Sequence, residues 1–193
     1  MSKKTFIITK LLPLILCLFV IGADQITKAI VVKNIPLHGD FTAPVEEREI
    51  PVAGDYIQLI HVRNNAIAFS LGSGLSDTAR VILFKVMVLI VIAAVFVIYF
   101  RNNEFTKLQR WSICGILGGG LGNLIDRFFR PAGVVDFIDC WFPKKLIASG
   151  RWPTFNVADM AVVICGCLFI LTFVLQVIED MKKKKASKDK ADE

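Results

Sequence analysis

The sequence predicts a membrane all-α bundle of four transmembrane helices carrying a small extracytoplasmic β-element. Three observations predict it. Of 193 residues, 54% are hydrophobic and 21% charged, and the mean hydropathy is +0.58, well above the balance of a soluble domain. Four weakly charged runs, 11–32, 80–100, 111–129 and 157–178, each reach the ~20 mostly apolar residues that a bilayer crossing needs. The stretches 33–79 and 130–156 are too long for simple connections and contain runs of β-formers.

In chain order, the first run follows Lys3, Lys4 and Lys10, as a cleaved signal would. It continues through LLPLILCLFVIGADQITKAIVV with no small-x-small site after it, so it reads as a retained first span. In the first long loop, DYIQLIHV alternates and predicts a strand. The preceding GDFTAPVEEREIPVAG holds turn residues and a second strand candidate, giving a β-element over about 40–70. The second run is apolar apart from its start and Lys85, whose long stem allows its ammonium to snorkel outward. The third, WSICGILGGGLGNLIDRFF, has Gly115/Gly119 and Gly118/Gly122 at the spacing that lets helices approach closely. GVVDFIDCWF in the second loop is another extended candidate, ASGRWP a turn, and Trp141, Phe142 and Trp152 are candidate interface anchors. Asp139 there reads as a solvated loop residue. The fourth run opens with FNVAD, and residues 182–193 read as a basic tail after a single four-span domain, 1–181.

An even number of spans puts both termini on one side. That side collects Lys3, Lys4, Lys10, Arg101, Lys107, Arg110 and the tail KKKKASKDK. The positive-inside rule then makes both termini cytoplasmic and both long loops external. The tail's expected partner is anionic membrane lipid rather than nucleic acid. Four of the five cysteines lie in spans, where they read as packing residues, and there is no CxxC. Only His38 and His61 are available to a Cys/His site, so neither metal nor cofactor is expected.

The polar residues of the spans gather at one depth. Asp24 and Lys28 lie in the outer half of the first span. Asn123, Asp126 and Arg127 end the third, and Asn156 and Asp159 open the fourth. Asn64 follows the predicted strand and Asp136 lies between the last two spans. A charge at the bilayer centre costs about 2.5–3.5 kcal/mol on insertion scales, so such residues are functional candidates. Plainer roles stand beside this. Asp24 and Lys28, one turn apart, make a structural pair. Asp126 and Arg127 make a helix-end ion pair. Asn156 and Asp159 make a helix N-cap with an acid in its first turn. Asp136, between valine and phenylalanine in a half-buried strand, has no such ready account.

Serine or cysteine nucleophiles lack a base in a recognisable motif here, and no HExxH occurs. The outer face does have carboxylates. Two held about 3 Å apart share a proton, so one can deprotonate water while the other donates to a scissile carbonyl. Asp136 and Asp159 are the pair that one short loop joins, and Asn123 and Arg127 are placed to position substrate carbonyls.

The segments ADQITK, NNAIAF, GGGLGNLIDR, VVDF and FNVAD, in this order across four spans, strongly resemble lipoprotein signal peptidase (signal peptidase II). The resemblance implies a bacterial inner-membrane aspartyl endopeptidase that cuts prolipoprotein signal peptides before the diacylglyceryl-modified cysteine. It implies Asp136 and Asp159 as the catalytic pair. Asn64, Asn123, Arg127 and Asn156 then contact substrate or support the site, and Asp24, Lys28 and Asp126 support the structure. No cofactor, an external β-cradle, a monomer and an inhibitor of globomycin type are also implied. One departure stands in NNAIAF, where Ala66 replaces the family's glycine and the bulkier Ile67 follows, restricting that loop. Within this frame Asp159 sits just inside the membrane because the substrate's scissile bond does.

Two other classes use the same residue types. A transporter would be expected to show internal repeats and interrupted helices at the midplane, whereas this chain has no visible repeat and its polar residues sit at one interface. A non-enzymatic scaffold held by glycine packing would leave Asp136 and Asp159 replaceable at no cost but stability.

Overall fold

The computed structural model of the chain describes residues 6–54, 56–64, 76–145, 147 and 149–189. A single π-helical turn, Ile7–Leu11, leads into α1, Leu14–Asn34. Then come the short α2, Val45–Arg48, and strands β1, Ile50–Ala53, and β2, Ile57–Asn64. Helices α3, Asp77–Arg101, and α4, Lys107–Phe129, follow, then β3, Val134–Cys140, and α5, Val157–Asp189. The fold is therefore mostly helical with one small sheet. Among the described residues, the segments Ile7–Asn34 and Val157–Lys184 are long and apolar enough to cross a membrane. Their outer faces are apolar and uncovered: Phe19 is 69% exposed and Val163 is 63% exposed. Lipid tails satisfy such surfaces where water would not.

Helix α4 is the centre of the bundle and packs against α1, α3 and α5. Its start is set by a capping box: Gln109 N donates to Thr106 Oγ1 at 3.2 Å, and Thr106 N donates to Gln109 Oε1 at 2.9 Å. Its glycines set the helix spacing. A Cβ on Gly118 would lie 2.9 Å from the Cys17 carbonyl oxygen of α1, and one on Gly119 would lie 2.3 Å from the Ala158 oxygen of α5. A Cβ on Gly120 would meet Ile92 of α3 at 3.3 Å. Each helical residue turns by about 100°, so three consecutive glycines clear room for three neighbours. The two expected spacings divide between partners: Gly115 and Gly119 face α5, Gly118 and Gly122 face α1.

The sheet is antiparallel in the order β1-β2-β3. Asn64 lies opposite Val134, Val62 opposite Asp136 and Gln58 opposite Asp139, with a bulge between Leu59 and Val62. The stretches DYIQLIHV and GVVDFIDCWF thus supply β2 and β3 as expected. Val31 and Ile35 at the end of α1 pack on Val135 and Phe137 of β3, which fixes the sheet over that end of the bundle. A second core, Cys17, Tyr99, Ile113, Cys114 and Leu117, fills the other end.

Two details differ from expectation. Helix α5 runs beyond 178 to Asp189, because Lys and Ala are good helix formers and Glu179 pairs with Lys183 one turn on at 2.6 Å. Asp139 is not solvated. It is 3% exposed, ion-paired with Arg151, and accepts a bond from Gln58 Nε2 at 2.8 Å.

Candidate active site

The site is built outward from one buried ammonium. Lys28 and Asp24 are one turn apart on α1 and both are fully buried. Lys28 Nζ lies 2.8 Å from Asp24 Oδ2, 3.0 Å from Asp126 Oδ2 of α4 and 3.0 Å from Asn123 Oδ1. An ammonium has three protons, so these three acceptors saturate it. Asp24 Oδ1 accepts the backbone N–H of Ala158 at 3.0 Å, tying α1 to the first turn of α5. Asp126 accepts from Arg130 Nε at 3.0 Å and from the backbone N–H of Val135 at 3.1 Å, tying α4 to β3. Two acids meet two cations, and together they join the helices to the strand that carries Asp136. A buried charge set is tolerable only when paired this completely.

From Lys28 a chain of side-chain amides leads to two carboxylates. Asn123, whose oxygen takes the ammonium, donates through Nδ2 to Asp159 Oδ1 at 2.8 Å. Asn156 Nδ2 lies 3.1 Å from Asn123 Oδ1 and 2.7 Å from Asp136 Oδ1. Asn64 Nδ2 donates to Asp136 Oδ2 at 2.8 Å. Asn156 and Asp159 also cap α5 reciprocally: Asp159 N donates to Asn156 Oδ1 at 3.0 Å, and Asn156 N donates to Asp159 Oδ2 at 3.1 Å. The helix-start account and the site account of Asp159 are therefore compatible. One carboxylate oxygen caps the helix and the other faces Asn123.

The two carboxylates differ in surroundings. Asp136 is 3% exposed and Asp159 half-buried. Burial is the main cause that pushes the Asp136 carboxyl up to about 6; the negative charge of Asp159 adds to the rise, while the Asn64 and Asn156 amides oppose it. Asp159 accepts two N–H bonds at the first turn of α5, where the macrodipole favours an anion. The arrangement is a buried carboxyl of raised pKa beside a half-buried one.

Each sequence-predicted residue has a definite place. Asp24, Lys28, Asn64, Asn123, Asp126, Asp136, Asn156 and Asp159 belong to one connected network. Among the described residues Arg127 does not join it by side chain; its Nη1 donates to the Asn123 backbone oxygen at 3.4 Å. Asp126 and Arg127 do not pair, because adjacent helical residues point about 100° apart, and Asp126 takes Lys28 and Arg130 instead. Residues 65–75, with Ala66 and Ile67, lie outside the described residues. Sequence reasoning missed Gln25, whose amide bonds Asp24, Asp126 and the Gly122 oxygen at 3.0–3.1 Å. It also missed Arg130, although the Asp126 to Arg130 spacing of four was a readable signal. Among the described residues, no three His, Cys, Asp or Glu side chains gather as a metal site requires.

The family model described as Signal peptidase (SPase) II matches residues 16–175. The lipoprotein signal peptidase of Treponema denticola is 44% identical over 90% of this chain and 94% of its own length. That of Treponema pallidum is 40% identical over 86% of this chain and 85% of its own. Two solved bacterial membrane enzyme structures superpose with a TM-score of 0.67 each. One is 24% identical, covering 86% of this chain and 88% of its own. The other is 25% identical, covering 83% of this chain and 91% of its own.

Proposed function

This chain belongs to the signal peptidase II family, membrane aspartic peptidases that remove signal peptides from prolipoproteins, and from that premise we propose that Asp136 and Asp159 are its catalytic pair. The observation that carries the proposal is the linking of a buried carboxyl of raised pKa, Asp136, to the half-buried carboxyl of Asp159 through two side-chain amides, Asn156 and Asn123. The anionic Asp159 takes a proton from a water as its oxygen bonds to the scissile carbonyl carbon. The protonated Asp136 donates to the carbonyl oxygen, and the developing charge stays between the two carboxyls. Collapse of the tetrahedral diol breaks the C–N bond: the proton on Asp159 passes to the leaving amine as a hydroxyl proton of the diol returns to Asp136, which restores the pair. No covalent intermediate forms. Asn64, Asn123 and Asn156 hold the carboxyls in register, and Arg127, with no carboxylate partner among the described residues, is available to a substrate carbonyl.

The substrate in this reading is a prolipoprotein bearing a diacylglyceryl cysteine, cut on the amino side of that cysteine. Helices α1, α3, α4 and α5 cross the membrane with both termini cytoplasmic. The pair then sits near the outer face, where the lipid anchor holds the scissile bond. The test is a gel-shift assay on a purified diacylglyceryl-modified prolipoprotein with wild type, Asp136→Asn and Asp159→Asn, with and without chelator. Chelator-resistant cleavage by wild type and none by either folded variant is expected. Cleavage above a few per cent of wild type in both variants sinks the assignment.

A further inference from the structure

Outside the network just described, one buried titratable ring has a nitrogen that nothing satisfies. His61 lies on β2 and is 5% exposed. Its Nδ1 is 3.0 Å from the carbonyl oxygen of Ile35, which ends α1. A carbonyl oxygen only accepts, so the ring proton sits on Nδ1 and Nε2 carries none. Nε2 is buried and has no hydrogen-bond partner among the described residues. Leu59 pairs with Ile138 and Val62 with Asp136, so Ile60 and His61 together face the single residue Phe137, the count of a β-bulge. The bulge interrupts the strand's alternation, and both Ile60 and His61 are buried. The ring thus stands beside the joint where Val31 and Ile35 of α1 pack on Val135 and Phe137 of β3. The same stretch of β2 reaches the site: Val62 lies opposite Asp136, and Asn64 donates to it.

We propose that His61 is an acid-sensitive joint: neutral, its N–H ties β2 to the end of α1; protonated, it loosens the sheet that holds Asp136 and so lowers activity. The part that concerns activity rests on the proposed peptidase reading. Protonation would bury a second ring N–H with nothing to accept it. The new charge would also face the guanidiniums of Arg63 on β2 and Arg130 after α4. Arg130 holds Asp126, which takes the Val135 N–H, so repulsion at the ring is passed on to β3. No carboxylate among the described residues bonds the ring to offset this. On α1, Lys28 is taken by Asp24 and Asp126, and Lys33 is exposed. On β3, Asp136 is taken by Asn64 and Asn156, and Asp139 by Gln58 and Arg151. On α2, Glu46 and Glu47 are exposed and Arg48 donates to the His38 and Ala43 oxygens, while Glu49 after it lies 3.7 Å from His38. Burial holds the ring's pKa below the ordinary 6.5 and the two guanidiniums add to the fall, against the Ile35 carbonyl. The unfolded chain therefore takes up the proton first, so this contribution to stability is full above about pH 6.5 and is lost below it.

The test uses the full chain in mild detergent. The sequence has two histidines, His38 and His61, so isotope-labelled histidine gives two ring signals, and His38→Gln assigns them. The His61 ring is expected to titrate below the ordinary histidine value of about 6.5. Melting temperature is then read at about pH 7.5 and about pH 4.5 in wild type, His61→Gln and His38→Gln. Glutamine can still donate to the Ile35 oxygen but takes up no proton. On acidification wild type and His38→Gln are expected to lose about 2–4 °C more than His61→Gln. Over the same step kcat/KM on a diacylglyceryl-modified prolipoprotein should fall further in wild type than in His61→Gln and return on neutralisation. Titration of the carboxyl pair is common to both proteins and cancels in their ratio. A His61 ring that titrates at or above the ordinary value overturns the proposal, and decides the matter alone if His61→Gln does not fold. Equal acid losses of melting temperature in wild type and folded His61→Gln also overturn it, and so does an activity ratio that acid leaves unchanged. No cleavage by wild type at neutral pH overturns the peptidase reading instead; the ring titration and the melting temperatures still judge the joint.

Discussion

Replacing Asp136 by asparagine is expected to change the pH dependence of stability as well as activity. The carboxyl titrates near 3.8 in an unfolded chain and near 6 in the folded protein. A raised folded pKa means that the folded state binds the proton more tightly, so ionisation works against folding. Below pH 3.8 the group is protonated in both states and costs nothing. Between 3.8 and 6 stability falls, and above 6 the full penalty is present. The rise from 3.8 to about 6 corresponds to about 3 kcal/mol. The asparagine side chain carries no such penalty, although its NH2 must face a donor from Asn64 or Asn156, an unfavourable contact of about 1–3 kcal/mol at any pH. The difference in unfolding free energy between Asp136→Asn and wild type should therefore move by about 3 kcal/mol in favour of the variant between about pH 4 and pH 7.5. Denaturant unfolding in mild detergent at both pH values measures it. A difference that stays constant across that range refutes the idea that burial raises the pKa of Asp136 in the folded protein.

Two further outcomes test the scaffold beneath the pair. Lys28→Ala leaves Asp24 without a cation and Asp126 with Arg130 alone; a loss of about 3–5 kcal/mol is expected, read as a lower melting temperature in detergent. An unchanged value contradicts the role given to the ammonium. Gly119→Ala would set a Cβ 2.3 Å from the Ala158 oxygen, against backbone that cannot yield, and should lower stability by about 1–3 kcal/mol. The control is Gly22→Ala, where nothing lies within 4 Å; it is expected to gain up to about 1 kcal/mol from helix propensity. Equal effects at the two positions would remove the close-packing argument.

Much of the site is legible residue by residue. An aspartate in an apolar run, a lysine one turn after an aspartate, and glycines four apart each carry a local physical signal. Asp139 reads as solvated because its sequence neighbourhood resembles that of any loop acid; only the antiparallel register, which sets it against Gln58, and the turn that returns Arg151 reveal its burial. Arg127 reads as the partner of Asp126 because the two are adjacent, yet the helix separates them.

Composition and periodicity by themselves determined the apolar helices, the strands at DYIQLIHV and GVVDFIDCWF, and the depth at which polar residues collect. These are properties of a segment and its solvent. Which carboxylate is buried, which amide bridges which pair, and that one lysine is shared by two aspartates and an asparagine were decided by the tertiary structure. Those facts depend on contacts between α1, α4, β3 and α5, segments up to 134 residues apart in the chain. The distances between them are set by packing at α4's glycines, and no local sequence rule carries that information.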